Sequence, residues 1–184
     1  MIMKNVYQGW LGSYKELMPI KNTLRQMDAQ NGTTFLQAKD HNEELLKSAA
    51  KEAHENKGLY YVTIFDKSVP AYFLEINKDF FRVNFLDEKQ RIYLSYDFQG
   101  ISNKKLFLTS VFFWEFIGDT DKKKSTTNYL FKENGYLTII ETDSKTRKQI
   151  IKEAKNKIDV SENYEEYPEF GNYDFLIKKE RLYL

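Results

Sequence analysis

The stretch Phe81-Arg82-Val83-Asn84-Phe85-Leu86-Asp87-Glu88-Lys89-Gln90-Arg91-Ile92-Tyr93-Leu94-Ser95-Tyr96-Asp97-Phe98 decides the fold. Phe81, Val83 and Phe85 alternate with Arg82 and Asn84, while Ile92, Leu94, Tyr96 and Phe98 alternate with Tyr93, Ser95 and Asp97. A period of two marks half-buried strands. The break from Asp87 to Arg91 is polar and about as short as a hairpin loop. The two strands are therefore antiparallel neighbours, in a register set by the buried face.

The same texture of short, aromatic-rich apolar runs between turn signals extends from Leu59 to Asp143. It predicts strands at Leu59–Phe65, Ala71–Ile76, Phe80–Leu86, Ile92–Phe98, Leu106–Ile117, Asn128–Phe131 and Tyr136–Glu141. In Leu106–Ile117 strict alternation places Leu106, Leu108, Phe112, Trp114 and Phe116 on one face and Phe107, Val111 and Phe113 on the other. That pattern belongs to a strand covered on both sides. Beyond Ser144, Ile150, Ile151, Ala154 and Ile158 fit helical spacing, whereas the turn Asp143–Thr146 starts a further hairpin strand; the strand is the preferred reading.

Two helices precede the sheet. The first runs from Pro19 to Gln30, with Ile20, Leu24 and Met27 on one stripe and Asn31-Gly32 as its stop; Ser13 with Glu16 is a competing capping pair. The second is capped by Asp40 with Glu43, buries Leu45, Leu46, Ala49, Ala50 and Ala53, and is followed by Gly58. Tyr7, Trp10 and Leu11 are expected to dock on the sheet. The expected architecture is α+β: a mostly antiparallel meander sheet of about seven or eight strands with N-terminal helices packed on one face. At 184 residues the chain reads as one domain, helical over 1–58, sheet over 59–155, with an acidic, aromatic C-terminal segment over 156–184.

Composition removes several kinds of chemistry. There is no cysteine, which excludes disulfides, thiolate catalysis and cysteine metal sites. His41 and His54 are both placed on the second helix, without the three- or four-residue spacing of a metal pair, and read as solvent-facing or helix-end imidazoles. No Gly-x-Ser-x-Gly elbow and no glycine-rich phosphate loop occur. A net charge of +1 offers no global field for nucleic acid or an anionic membrane. No cofactor is expected, and no nucleic-acid or membrane partner. With no signal-like N-terminus and no apolar run of about 20 residues, the expectation is a cytoplasmic protein.

Carboxylate clusters are the remaining candidates. Asp119-Thr120-Asp121 after Gly118 has the look of a sparse cation loop, but Lys122, Lys123 and Lys124 follow at once, so a solvated loop is the preferred reading. Near the C-terminus charge segregates. Lys145, Arg147, Lys148, Lys152, Lys155 and Lys157 form a basic stretch, followed by Asp159, Glu162, Glu165, Glu166, Glu169 and Asp174 with Tyr164, Tyr167, Phe170 and Tyr173 interleaved. Carboxylates that steer and aromatics that anchor make a recognition surface for a basic partner. The competing reading is a tail whose aromatics pack on the core edge while its acids are solvated.

Three segments carry a family resemblance: Phe85 to Tyr96, Glu115-Phe116-Ile117-Gly118-Asp119-Thr120-Asp121, and Asp159-Val160-Ser161 with Glu165 to Tyr173. From Tyr72 to Arg181 the chain resembles immunity proteins of bacterial polymorphic toxin systems. The resemblance implies a non-catalytic protein that binds a cognate toxin domain delivered by contact-dependent inhibition or a type VI route. Asp119, Asp121, Glu162, Tyr164, Glu165, Glu166, Tyr167, Glu169 and Phe170 are the candidate partner-binding residues. An alternative is a carboxylate-type enzyme acting on a glycan through acids such as Glu115, Asp119 or Asp121, and a third reading is a generic protein-interaction module.

Overall fold

The computed structural model describes residues 3–102, 104–179 and 181. In chain order they form β1 (Met3–Val6), β2 (Trp10–Leu11), β3 (Glu16–Leu17), α1 (Ile20–Asn31), α2 (Glu43–Glu55), β4 (Tyr60–Asp66), β5 (Val69–Asn77), β6 (Phe80–Leu86), β7 (Ile92–Ser102), β8 (Lys105–Phe116), β9 (Lys123–Phe131), β10 (Leu137–Asp143), β11 (Gln149–Glu153) and β12 (Tyr164–Glu166). The hairpin β6–β7 closes through Asp87, whose carboxylate accepts from the backbone N–H groups of Lys89 and Arg91 at 2.9 Å each, while Gln90 takes φ 60°. An aspartate binding its own backbone a few residues on is the standard way to build such a turn.

The main sheet is antiparallel throughout, in the order β1-β4-β5-β6-β7-β8-β9-β10-β11. β12 pairs with Lys105–Phe107 of β8, on the stretch that precedes the pairing of β8 with β9 at Ser110–Phe116. Four strands stand beyond the expected set: β1 and the two strands of the small β2–β3 hairpin in the region read as helical, and β12 in the C-terminal segment. The basic stretch after Ser144 forms the strand β11.

One face of the sheet, here the inner face, is the centre of the core. Tyr60, Val62, Leu74, Phe81, Val83, Phe85, Tyr96, Phe98, Leu106, Leu108 and Val111 are all at 0 % exposure. Burying each large side chain contributes about 1.5–3 kcal/mol. The expected facing of β8 is wrong in its first half. Phe98 pairs with Leu108 and Asp97 with Ser110, so Thr109 is an extra residue that bulges out and donates its hydroxyl to the Asp97 carbonyl at 3.1 Å. A bulge shifts the alternation by one. Leu106 and Leu108 therefore share the inner face with Val111 and Phe113, leaving Phe107, Phe112, Trp114 and Phe116 outside.

Two layers close the inner face. α2 supplies Leu46, Ala49, Ala50 and Ala53, and is capped by Asn42, which accepts from Leu45 N, rather than by Asp40. His41 lies in the loop before the helix, not on it. α1 ends at Gly32 in the left-handed conformation at φ 69°. Its Asn31 carboxamide both accepts from and donates to the backbone of Leu59. Gly58 is required there, because a Cβ would fall 2.6 Å from the Asn31 oxygen. The second layer is the C-terminal segment, where Tyr173 and Leu176 are fully buried and Lys179 O accepts from the Tyr96 hydroxyl at 2.9 Å.

The outer face is polar at its centre. Arg82 donates two bonds of 2.8 Å to Asp97, and Ser95 donates to Asn84 at 2.6 Å. The N-terminal segment reaches this face: Thr63 donates to Gln8 O at 2.9 Å, and Tyr61 donates to Gln26 of α1 at 2.9 Å. Tyr7 and Trp10 are buried, as expected of docking residues, while Leu11 is only half-buried.

Candidate functional site

The aromatics proposed from sequence as anchors pack against other rings of the chain. Tyr167 meets Phe81 edge-on with ring centroids 5.1 Å apart, Phe170 stacks on Tyr7 at 4.8 Å, and Tyr164 packs on Phe107 at 4.9 Å. These three rings are half-buried, and their contacts are spent on cohesion rather than held out for a partner. His54, in the last turn of α2 as the helix-end reading had it and half-buried rather than solvent-facing, belongs to the same cluster. Its Nδ1 lies 2.9 Å from the Tyr60 hydroxyl, which in turn accepts from the Tyr173 hydroxyl at 3.4 Å. Burial pushes the Tyr60 hydroxyl far above its ordinary range; it pulls His54 below its ordinary value, against the opposing pull of Glu55.

The candidate acids divide into two groups. Asp119 pairs with Lys89, which holds its carboxyl below the usual carboxylate range, and Asp121 pairs with Lys15 at 2.9 Å. Glu165 pairs with Arg181, whose side chain is only 5 % exposed, and lies 3.7 Å from Lys178. Arg181 also donates to the carbonyls of Glu162 and Phe175 and lies over the Phe98 ring, so Glu165 is part of the fastening of the C-terminal segment. Glu162, Glu166 and Glu169 are different: they are exposed and form no ion pair among the described residues, and Asp174 shares that state. The structure thus separates Asp119, Asp121 and Glu165, already neutralised within the chain, from a free acidic series.

A groove of about 580 Å³ opens on the outer face between the β2–β3 turn and β8, lined by Phe112, Trp114, Arg82 and Lys123 among others. Most of its cations are engaged: Arg82 with Asp97, Arg91 with Asp87, and Lys15 with Asp121. Lys123 lies over the Trp114 ring at 4.5 Å, with its pKa lowered by burial. A second groove, of about 670 Å³, lies beside the β9–β11 arm and includes Phe113, Tyr129, Glu115 and Glu141. Ser125 donates to Glu115 and Lys124 stands 3.4 Å away, which together hold that carboxyl below its usual range, while Glu141 pairs with Lys152. A general acid for glycoside hydrolysis needs the opposite displacement. Among the described residues no cluster of three or more His, Asp or Glu is placed to hold a metal ion.

These surfaces lie on an α+β fold built on one antiparallel meander sheet. No family model, curated protein or solved structure matches the chain. No helix among the described residues is long and apolar enough to cross a membrane.

The free state of Glu162, Glu166 and Glu169 was not legible in sequence, because it depends on where Lys178 and Arg181 fold back. The open strand β11 was also missed as a surface, although Ile150-Ile151 inside a basic run is a signal for it: adjacent β-branched residues on a strand face opposite ways, and only one of them can turn toward a core.

Proposed function

We propose that this chain is a cytoplasmic, non-catalytic immunity-type protein that binds a cognate secreted toxin domain and blocks its basic active or substrate-binding surface. One observation carries the reading. Glu162, Glu166, Glu169 and Asp174 stand exposed and unpaired among the described residues, on a segment whose aromatic side chains are locked into the core. Charge held on a rigid mount is attracted to a basic surface without a large ordering cost on binding. Carboxylates in such an array imitate the phosphates that nucleic-acid-directed toxins bind.

The test is co-purification with the toxin domain encoded next to this chain, followed by titration of the Glu162→Lys, Glu166→Lys, Glu169→Lys triple variant. The expected result is a complex whose affinity falls by about a hundredfold or more in the variant while its thermal stability is unchanged. Equal affinity in the folded variant removes this surface, and turnover of a substrate that one acidic substitution abolishes removes the reading.

A further inference from the structure

We propose that the outer edge of β11 is a second interaction surface, which receives an extended, acidic segment of another protein as an added strand. It goes beyond the toxin-binding reading and does not depend on it. β11 pairs with β10 from Gln149 to Glu153, and no strand lies on its other side among the described residues. All five of its residues are exposed, including Ile150 at 57 % and Ile151 at 61 %. Consecutive strand residues point to opposite faces, so the edge carries an apolar side chain on each. Ile150 borders the groove that includes Phe113 and Tyr129, and Ile151 pairs with Ile140.

The opposite edge of the sheet is treated differently. β1 carries Lys4 and Asn5, and Asn5 donates to Gly171 O at 2.9 Å, so the C-terminal segment lies against it. An edge that only needs protection from stray pairing takes charges and no apolar pair. β11 has both features: the isoleucines supply contact area, and the charges select what makes that contact. Arg147, Lys148, Lys155 and Lys157 are exposed and form no ion pair among the described residues; Lys152 is held by Glu141. A second copy laid along β11 would bring two such basic runs together. A segment with an apolar centre and flanking Asp or Glu matches both the side chains and the charge, while its backbone completes the open hydrogen-bond ladder.

The probe is a blocked synthetic peptide with a Val-Ile-Val centre and two glutamates on each side, compared by NMR with the same peptide carrying lysine flanks. The glutamate peptide is expected to shift the amide signals of Gln149–Glu153 and to slow exchange of its outward N–H groups. The lysine peptide, and the Lys148→Glu, Lys155→Glu variant with the glutamate peptide, are expected to bind at least about tenfold more weakly. Equal binding of both peptides, or no shift at β11 at millimolar peptide, overturns the proposal. So does a dimer of the unliganded chain that Ile151→Lys dissociates, because a second copy would then occupy the edge.

Discussion

From β4 to β8 the inner face lies beneath α2 and the C-terminal segment, and eleven of its side chains have no exposure at all. From β9 to β11 the cover on the same face runs out: Phe131 and Leu137 are still buried, Tyr129 and Ile139 are half-buried, and Ile150 is mostly exposed. The two halves share one backbone ladder and one alternation of apolar and polar residues. What separates them is the supply of covering chain. Alternation therefore reports that a residue faces one side of a sheet, and says nothing of whether that side is closed.

The sharpest way to break this contrast is to truncate one residue on each side of the boundary. Phe85→Ala, at the closed end, is expected to cost about 3–5 kcal/mol in urea denaturation, and Ile150→Ala, on the open arm, to stay within about 0.5 kcal/mol. A cost above about 1 kcal/mol for Ile150→Ala would mean that the arm is packed after all.

Next in size is the fastening of the lid. Glu165→Ala leaves the Arg181 guanidinium buried without its carboxylate and is expected to cost roughly 3 kcal/mol. Asp121→Ala, which breaks the exposed pair with Lys15, should cost less than about 1 kcal/mol by the same measurement. Similar values for the two would show that the C-terminal segment does not depend on this pair.

The smallest effect is one of pH. His54 has a folded-state pKa below its ordinary 6.5 because it is half-buried among Tyr60, Tyr167 and Phe170. The unfolded chain then takes up the proton at higher pH than the folded one. The stability contributed by keeping His54 neutral is complete above about pH 6.5 and is lost as pH falls toward and below the folded value. Thermal melts between pH 7.5 and about 5 should show a decline that His54→Phe flattens. A profile unchanged by the substitution would remove His54 from the closed half's acid response.

Much of this architecture was legible in the alternation of Phe81 to Phe98 and in the stripes of the two helices. Three features were not. The bulge at Thr109 leaves only a faint mark, the polar pair Thr109-Ser110 in an otherwise apolar strand, and it reverses the facing of every residue before it. Met3–Val6 is too short, and its Lys4 and Asn5 too polar, to announce a strand; it pairs because β4 offers an edge. The inward turn of Tyr167 and Phe170, and the packing of Tyr164 on Phe107 of the outer face, have no period to betray them, since most of the segment is neither helix nor strand. An estimate of area would have shown the inward turn. A helix about 10 Å across covers roughly two strands spaced about 4.8 Å apart. The aromatic rows of β6, β7 and β8 therefore needed another lid, and the segment after Val160 held the rings to make one.

The pairing of β12 with β8, and the rings that follow it, set an order of events during synthesis. On the ribosome the strands β4 to β8 emerge well before residues 160–181, so the parts of Phe81, Phe98 and Tyr96 that this segment covers remain in water while their lid is still being translated. The nascent meander in that interval is an open aromatic surface of the sort chaperones hold. Cooperative closure of the core waits for the arrival of Tyr173 and Leu176.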